Sequence, residues 1–415
     1  MKKRFRSFRI QPVHLWMAFL GLLFAVGLVG IGIVLIEGLS LTNLTDLVPW
    51  GLWITIDLSA IALAAGAFSL CAAVYLIGIK RLEPVARTAT FIGLIGYSMA
   101  MLCLLMDIGR PDRFWHAFVF WNPHSVLWEV TMCVGLYFTV LMLETAPIVG
   151  RADWFQTRLP GISRKLQGVH RYAPFLAIAG LFLSMLHQSS LGATYGVLKA
   201  RPIWYRPGIS VLFIISAVAG GLALTVFVSK LSGRLSSKIR INEQWLDQIS
   251  SFIGWVLIGY LYFRFWDALS MTYTYLPGRN EGLDLLTRGP LSFNFWAGEI
   301  VLGAIIPIII LRSKRLRENW LLHMVALLFI IGGVVAYRWD TNMAGELVVL
   351  TYQPQEIIAN YTSYTPALIE WITGIGVVAF GALAITIGVR YFNIVDHSVV
   401  HEEVEEEAVA TSAAD

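Results

Sequence analysis

Four consecutive hydrogen-bonding side chains stand at the end of a long apolar stretch of this sequence: His187, Gln188, Ser189 and Ser190. A histidine can donate or accept a hydrogen bond, and it changes charge close to neutral pH. These properties suit an oxygen that accepts a hydrogen bond when oxidised and is protonated when reduced, such as a quinone carbonyl oxygen. In the alternative interpretation, His187 bonds only helix-end carbonyl groups or a neighbouring helix.

Three carboxylic acids, Asp57, Glu129 and Glu299, lie inside apolar stretches at a similar distance from one end. A charge in hydrocarbon is costly, so such residues usually face a cavity, a ligand or an ionic partner. We therefore predict a route for protons through Asp57, Glu129 and Glu299, with Glu144 as a further candidate nearer the opposite membrane surface. Arg264 also needs an anion, so a structural interpretation stays open in which these acids pair with Arg264. The two interpretations are compatible if one acid neutralises Arg264 and the others carry protons.

The elements that must position these residues are ten apolar stretches, each long enough to cross a bilayer as a helix. Their predicted boundaries are 15–37, 52–79, 86–108, 124–149, 171–193, 209–231, 248–271, 291–312, 318–337 and 366–391. Hydrophobic residues make up 57% of the chain and charged residues 14%, which excludes a string of soluble domains. Alternate threading brings ionisable residues of seven helices to one level, which predicts one polar chamber near one membrane surface.

A weak internal repeat predicts how these helices are grouped. PWGLWITIDL at the start of the second helix is echoed by RPGISVLFII at the start of the sixth, and Trp128-Glu129 is echoed by Trp296 and Glu299. We therefore predict an all-α membrane fold with two four-helix bundles, helices 2–5 and 6–9, flanked by helices 1 and 10.

The basic residues predict the orientation. Alternate loops and both terminal segments carry 22 of the 31 lysines and arginines, and the opposite loops carry eight. By the positive-inside rule, both termini are cytoplasmic and the chamber faces the periplasmic side of a cell inner membrane. The basic start is interpreted as leading into a retained first helix. Residues 1–394 form one multi-pass domain in this prediction, and the acidic residues 395–415 form a disordered cytoplasmic tail.

Cofactor motifs are missing from the sequence. Cys71, Cys103 and Cys133 form no CxxC pair, and the histidines do not form a convincing pair for haem. We therefore expect no haem, iron–sulfur cluster or metal site in this chain, and no nucleic-acid partner. Any redox centre belongs to another subunit. The aromatic outer loops, such as 109–123, favour two interpretations equally: a surface for a partner protein or a belt at the lipid interface.

Several stretches resemble the integral membrane subunits of the NrfD and polysulfide-reductase family, especially the ten-helix branch with the hydrogenase-2 and menaquinone reductase membrane subunits. They are PWGLWITIDL (49–58), MDIGRPDRFW (106–115), NPHSVLWE (122–129), LETAP (143–147), LHQSSLGA (186–193), FRFWD (263–267) and TPALIE (365–370).

The resemblance implies a quinone site near the periplasmic face. It also implies a four-cluster iron–sulfur subunit docked outside, together with further periplasmic redox subunits. Asp57, Glu129 and His187 fall in matching motifs and become the candidate catalytic residues. The predicted contacts of the quinone are Asp57, His187, Gln188, Ser189, Trp50 and Arg264.

The predicted function is that of a quinone-reactive subunit of a bacterial respiratory oxidoreductase, inactive alone, which reduces menaquinone with electrons from the iron–sulfur partner. The same site could instead oxidise quinol in the reverse direction. A secondary transporter is a different alternative, because repeated bundles with buried acids are also typical of that class.

Overall fold

The structure is a computed structural model that describes residues 11–236, 239–395 and 397. Within these residues, ten helices are long and apolar enough to cross a membrane, which confirms the predicted all-α membrane fold. Helices 1 to 10 span, in order, Pro12–Glu37, Leu52–Leu76, Lys80–Asp107, Val126–Gly150, Pro160–Gly196, Gly208–Leu235, Glu243–Thr272, Asn294–Arg312, Trp320–Glu346 and Leu368–Tyr391.

Shorter elements connect the long helices. Short helical segments occupy Leu39–Leu41, Pro111–Arg113, His116–Val119, Asp153–Arg158, Arg279–Thr287 and Lys314–Arg317. Strand β1 (Val348–Tyr352) pairs antiparallel with strand β2 (Ile357–Tyr361) in a hairpin between helices 9 and 10. The hairpin was not predicted, because each strand is only five residues long and lies in a loop.

Helix 9 extends nine residues beyond its predicted end at residue 337. The added part carries Arg338, Asp340, Asn342 and Glu346, all of them fully buried. The hydropathy of the sequence falls here, but these polar side chains face other parts of the protein instead of lipid, so the helix continues. The predicted boundary was therefore wrong, and Arg338 belongs to a membrane helix instead of an outer loop.

Helices 2 to 5 pack around one another, and so do helices 6 to 9. Helix 6 joins the two groups by packing against helices 2 and 5. At Gly66 and Gly221 the backbones of helices 2 and 6 approach so closely that a Cβ atom on Gly221 would overlap the backbone of Gly66. Small residues permit such packing where lipid provides no hydrophobic driving force between helices.

Helices 1 and 10 form a pair on one side of the molecule. They cross closely at Gly27 and Gly376, and helix 10 also packs against helices 2 and 3. Beyond helix 10, Val395 is buried and the His397 N–H donates to the Arg240 carbonyl oxygen at 2.9 Å. Most of the predicted acidic tail, and the basic segment 1–10, lie outside the described residues.

Candidate functional site

His187 lies at the centre of helices 2 to 5. Its Nδ1 atom is 2.7 Å from the hydroxyl oxygen of Tyr97 on helix 3, and both side chains are almost completely buried. The Nε2 atom of His187 is also buried, and it has no hydrogen-bond partner among the described residues. Because a buried polar atom without a partner is costly, this nitrogen is suited to bind a ligand or a water molecule.

Tyr97 was missed by the sequence analysis. A tyrosine within an apolar helix is a signal that could have found it, because a buried hydroxyl group usually needs a hydrogen-bond partner. The Tyr97 ring packs edge-on against Tyr137 of helix 4, with 4.8 Å between ring centroids. Ser184 on helix 5 lies close to both tyrosine hydroxyl groups. A line of hydroxyl groups therefore approaches His187 from the direction of helix 4.

Asp57 is buried on helix 2, and its Oδ1 atom likewise lacks a partner within the described part of the chain. Asp57 stands one turn before Ile61, whose carbonyl oxygen accepts from Gln188, the neighbour of His187. Residues four apart share a face of a helix, so Asp57 lies on the face of helix 2 that meets helix 5.

Gln188 connects helix 5 to helix 2. Its Nε2 group donates to the Ile61 carbonyl oxygen at 3.0 Å. That carbonyl is available because helix 2 is irregular here: the Ala65 N–H bonds the Ala62 carbonyl oxygen instead of the one at Ile61. The Gln188 Oε1 atom is a third buried polar atom for which the described residues offer no partner.

The two serines of the predicted cluster have different roles in the structure. The Ser189 hydroxyl group donates to the Leu186 carbonyl oxygen of its own helix at 2.8 Å, which occupies its hydrogen. The Ser190 hydroxyl group donates to Glu129 Oε1 at 2.9 Å and so joins helix 5 to the outer end of helix 4. Glu129 is half-buried and lies at the edge of the region around His187.

Arg264 lies in a separate ionic cluster of helices 7 and 8. Its Nε and Nη2 groups donate to the two Glu299 oxygens at 2.7 and 3.2 Å, and its Nη1 group donates to Asp267 at 3.1 Å. Asp267 also accepts from Arg206 at 2.7 Å, and the Tyr260 hydroxyl group donates to Glu299 at 2.8 Å. We call these five residues the Arg264 cluster.

This geometry argues against two of the predicted roles. Three of the five N–H groups of Arg264, one on each nitrogen, donate to carboxylates, which argues against the predicted contact with a quinone. Glu299, predicted for the proton route, neutralises Arg264 instead. The sequence left open whether one of the acids pairs with Arg264; in the structure Glu299 is that acid.

Trp50 precedes helix 2 and contacts helix 9 instead of His187. Its indole ring stacks on Trp204 and meets Tyr195 edge-on, with centroid distances of 5.8 and 5.4 Å. The backbone N–H of Trp50 donates to Glu346 Oε2 at 3.3 Å, and the backbone carbonyl oxygen of Trp50 accepts from Asn342 Nδ2 at 2.7 Å. Trp50 thus closes the outer end of the interface between the two helix groups.

Glu144 lies at the opposite end of helices 2 to 5, which is the predicted cytoplasmic side. It lines an open cleft of about 70 Å³ together with Glu83, Arg87, Arg151 and His170. That volume can hold several water molecules. Tyr137, two turns before Glu144 on helix 4, packs with Glu144 against Gly180 of helix 5 and also contacts Tyr97. The cleft therefore leads toward the hydroxyl groups beside His187.

The described residues contain no group of three or more His, Cys, Asp and Glu side chains that could hold a metal ion. His187 and His323 are both buried, but they lie near opposite ends of their helices, and the His323 Nε2 atom is 2.8 Å from the Ser250 hydroxyl oxygen. The expected lack of haem in this chain stays a prediction.

Comparison with known proteins identifies the relatives of this chain. It is 33% identical over 397 residues to the integral membrane subunit of menaquinone reductase from Nitratidesulfovibrio vulgaris, covering 93% of this chain and 92% of that protein. It is 26% identical to a selenate reductase subunit from Mesobacillus selenatarsenatis, covering 91% and 93%. It is 25% identical to the probable Ni/Fe-hydrogenase 2 b-type cytochrome subunit from Escherichia coli, covering 86% of each. Residues 40–350 match the family described as polysulphide reductase, NrfD. The chain therefore belongs to the NrfD family of membrane proteins.

Proposed function

We propose that this chain is the quinone-reactive membrane subunit of a respiratory oxidoreductase complex, and that it reduces menaquinone. The observation that carries the proposal is a set of three buried polar atoms without partners among the described residues, on Asp57 of helix 2 and on His187 and Gln188 of helix 5. The relative named menaquinone reductase supports the choice of substrate. The relatives named as reductase subunits support a role within a complex.

His187 and Asp57 would bind and protonate the quinone headgroup. Reduction of a quinone to a quinol takes two electrons and two protons. When the Tyr97 hydroxyl group donates to Nδ1 of His187, the proton of the neutral ring lies on Nε2, which can donate to a quinone carbonyl oxygen. Asp57 would deliver the second proton from helix 2, and Gln188 Oε1 would accept a hydrogen bond from the product hydroxyl group.

The electrons would come from a partner on the outer side. In this proposal the chain lies in the cell inner membrane with both termini in the cytoplasm, as the distribution of lysine and arginine supports. The region around His187 then lies nearer the periplasmic surface, within reach of a periplasmic iron–sulfur subunit with four clusters. Reversal of the electron flow, with quinol as the electron donor, would use the same residues.

Protons would reach His187 from the inner cleft. The proposed route runs from water in the cleft to Glu144, then past Tyr137 and Ser184 to Tyr97. Glu144 and Tyr137 lie two turns apart on helix 4, so water would bridge them; the later steps join groups on packed helices, and each group can both donate and accept a proton. Electrons from outside and protons from inside would then charge the membrane during turnover. Glu129 would serve the outer edge of the same region through Ser190.

Replacement of His187 tests this proposal. In the complete complex, His187→Gln should lower menaquinone reduction by about 100-fold or more, since a positioned proton donor contributes a factor of that size. His323→Gln is the matched control, because His323 is equally buried and also lies beside a hydroxyl group, but on another helix. The amount of assembled complex should be equal in the two variants. Unchanged turnover in an assembled His187→Gln complex would contradict the proposal.

A further inference from the structure

Residues 114–121, between helices 3 and 4, form an aromatic segment that the proposed function does not use. From its position we infer that this segment is inserted into the outer leaflet of the bilayer, where it contacts lipid acyl chains and not a partner protein. This inference chooses between the two interpretations of the aromatic outer loops that the sequence left open.

The depth of the segment is the first support. The Phe118 ring packs so closely on helix 4 that a Cβ atom at Gly135 would lie 3.2 Å from it. Gly135 is nine residues into helix 4, or about 13 Å from the helix start at 1.5 Å per residue. The 25 residues of helix 4 span about 38 Å, whereas the hydrocarbon core is about 30 Å thick. A centred helix 4 therefore places Phe118 about 10 Å inside the hydrocarbon.

The composition of the segment is the second support. Its large apolar side chains are between 45% and 65% exposed, namely Phe114, Trp115, Phe118, Val119, Phe120 and Trp121. His116 is the only ionisable residue between positions 114 and 121. Helix 4 also exposes large apolar side chains of its own, among them Leu127, Leu136 and Met142. Apolar exposure on this scale is rare in water and ordinary in lipid.

Several polar groups of the segment are hydrogen-bonded within the protein, which lowers the cost of placing them in hydrocarbon. The Phe120 N–H donates to the His116 carbonyl oxygen at 2.7 Å. The Trp128 indole N–H donates to the Ala117 carbonyl oxygen at 2.8 Å, and the Trp121 indole N–H donates to that of Phe118 at 3.0 Å. The two indole N–H groups thus give these carbonyl oxygens hydrogen bonds that lipid acyl chains could not provide.

Residues 110–113, which precede the segment, lie at the boundary between the membrane and water. Arg110 and Asp112 form an ion pair of 2.9 Å with side chains 63% and 60% exposed. The hydrogen bond from Arg110 lowers the pKa of Asp112 below its usual value, so this pair is charged near neutral pH. The chain therefore passes from a charged surface at 110–113 into the lipid at 114–121 and returns to begin helix 4.

Nitroxide labels at single cysteines test the depth in the full-length chain in liposomes. The native Cys71, Cys103 and Cys133 are buried, so the label should react with the introduced cysteine. At Phe118→Cys and Phe120→Cys, we expect oxygen, which concentrates in lipid, to relax the label several-fold more than a water-soluble nickel complex. Asp112→Cys is the control and should show the opposite order.

A second measurement needs no substitution and decides the question if a variant fails to fold. A diazirine reagent dissolved in the lipid phase should label peptide 114–121 of the unmodified chain, both alone and in the assembled complex. Preferential relaxation of the labels at 118 and 120 by the nickel complex would overturn the inference. So would loss of the diazirine labelling when partner subunits assemble, because a docking surface for a protein predicts that loss.

Discussion

The Arg264 cluster and the region around His187 are both buried polar sites toward the same end of the helices, but they differ in their ionic partners. Arg264 has a carboxylate oxygen on each of its three nitrogens. Asp57 and His187 each retain a buried atom without a partner among the residues described. A buried charge by itself therefore does not indicate function: Arg264 and Glu299 neutralise one another, whereas Asp57 and His187 have no ionic partner among the described residues.

The largest expected effect is that of Asp57→Asn on turnover. The amide cannot deliver a proton, so menaquinone reduction by the complex should fall about 100-fold to 10,000-fold. Stability should change little, because Asp57 has no ionic partner to leave behind. Turnover and the melting temperature of the purified complex are the two measurements. A fall in melting temperature as large as that of an Arg264 variant would mean that Asp57 is structural.

Arg264→Leu should show the opposite pattern. Removal of the guanidinium group leaves the buried Glu299 carboxylate without its partner, which typically costs about 3–5 kcal/mol. We expect poor assembly of the variant in the membrane, measured by the yield and melting temperature of the complex. The double variant Arg264→Leu with Glu299→Leu should recover most of the yield, since it removes both charges. If the yield of the double variant does not recover, the Arg264 cluster has a role beyond the mutual neutralisation of its charges.

Tyr97→Phe should have a smaller effect within the same region as Asp57. It removes the hydroxyl group beside His187 Nδ1 but keeps the ring packed on Tyr137. The loss of one hydrogen bond, about 0.5–1.5 kcal/mol, predicts a fall in turnover of about two- to thirteen-fold and a shift of its pH profile. Ser189→Ala is the control and should change neither, because Ser189 bonds its own helix. Equal pH profiles of Tyr97→Phe and the unmodified complex would remove Tyr97 from the mechanism.

Glu144→Gln should give the smallest effect, because water in the open cleft can partly replace the side chain. We expect turnover to fall a few-fold, with the fall larger in energised membranes than in detergent. Turnover in liposomes with and without an imposed membrane potential is the measurement. The matched control is Glu83→Gln at the cleft wall. If both variants respond equally, the proposed route does not pass through Glu144.

The sequence was sufficient to predict the ten membrane helices and the family, because both follow from local runs of residues. It predicted the wrong end for helix 9, since hydropathy cannot distinguish polar residues that face protein, such as Arg338, from those in a loop. It could not assign Glu299 to Arg264 or Tyr97 to His187, because these contacts join different helices. His187 and Asp57 were identified because a polar residue inside an apolar helix is visible without the fold.

The most direct test of the central claim is photolabelling of the complete complex with a photoreactive menaquinone analogue, followed by identification of the labelled peptides. We predict labels in helices 2, 3 and 5, on peptides that contain Asp57, Tyr97 or His187, and we predict their loss when excess menaquinone is added. Labels on helices 7 and 8 near Arg264 and Glu299, or labels that menaquinone does not displace, would contradict the claim.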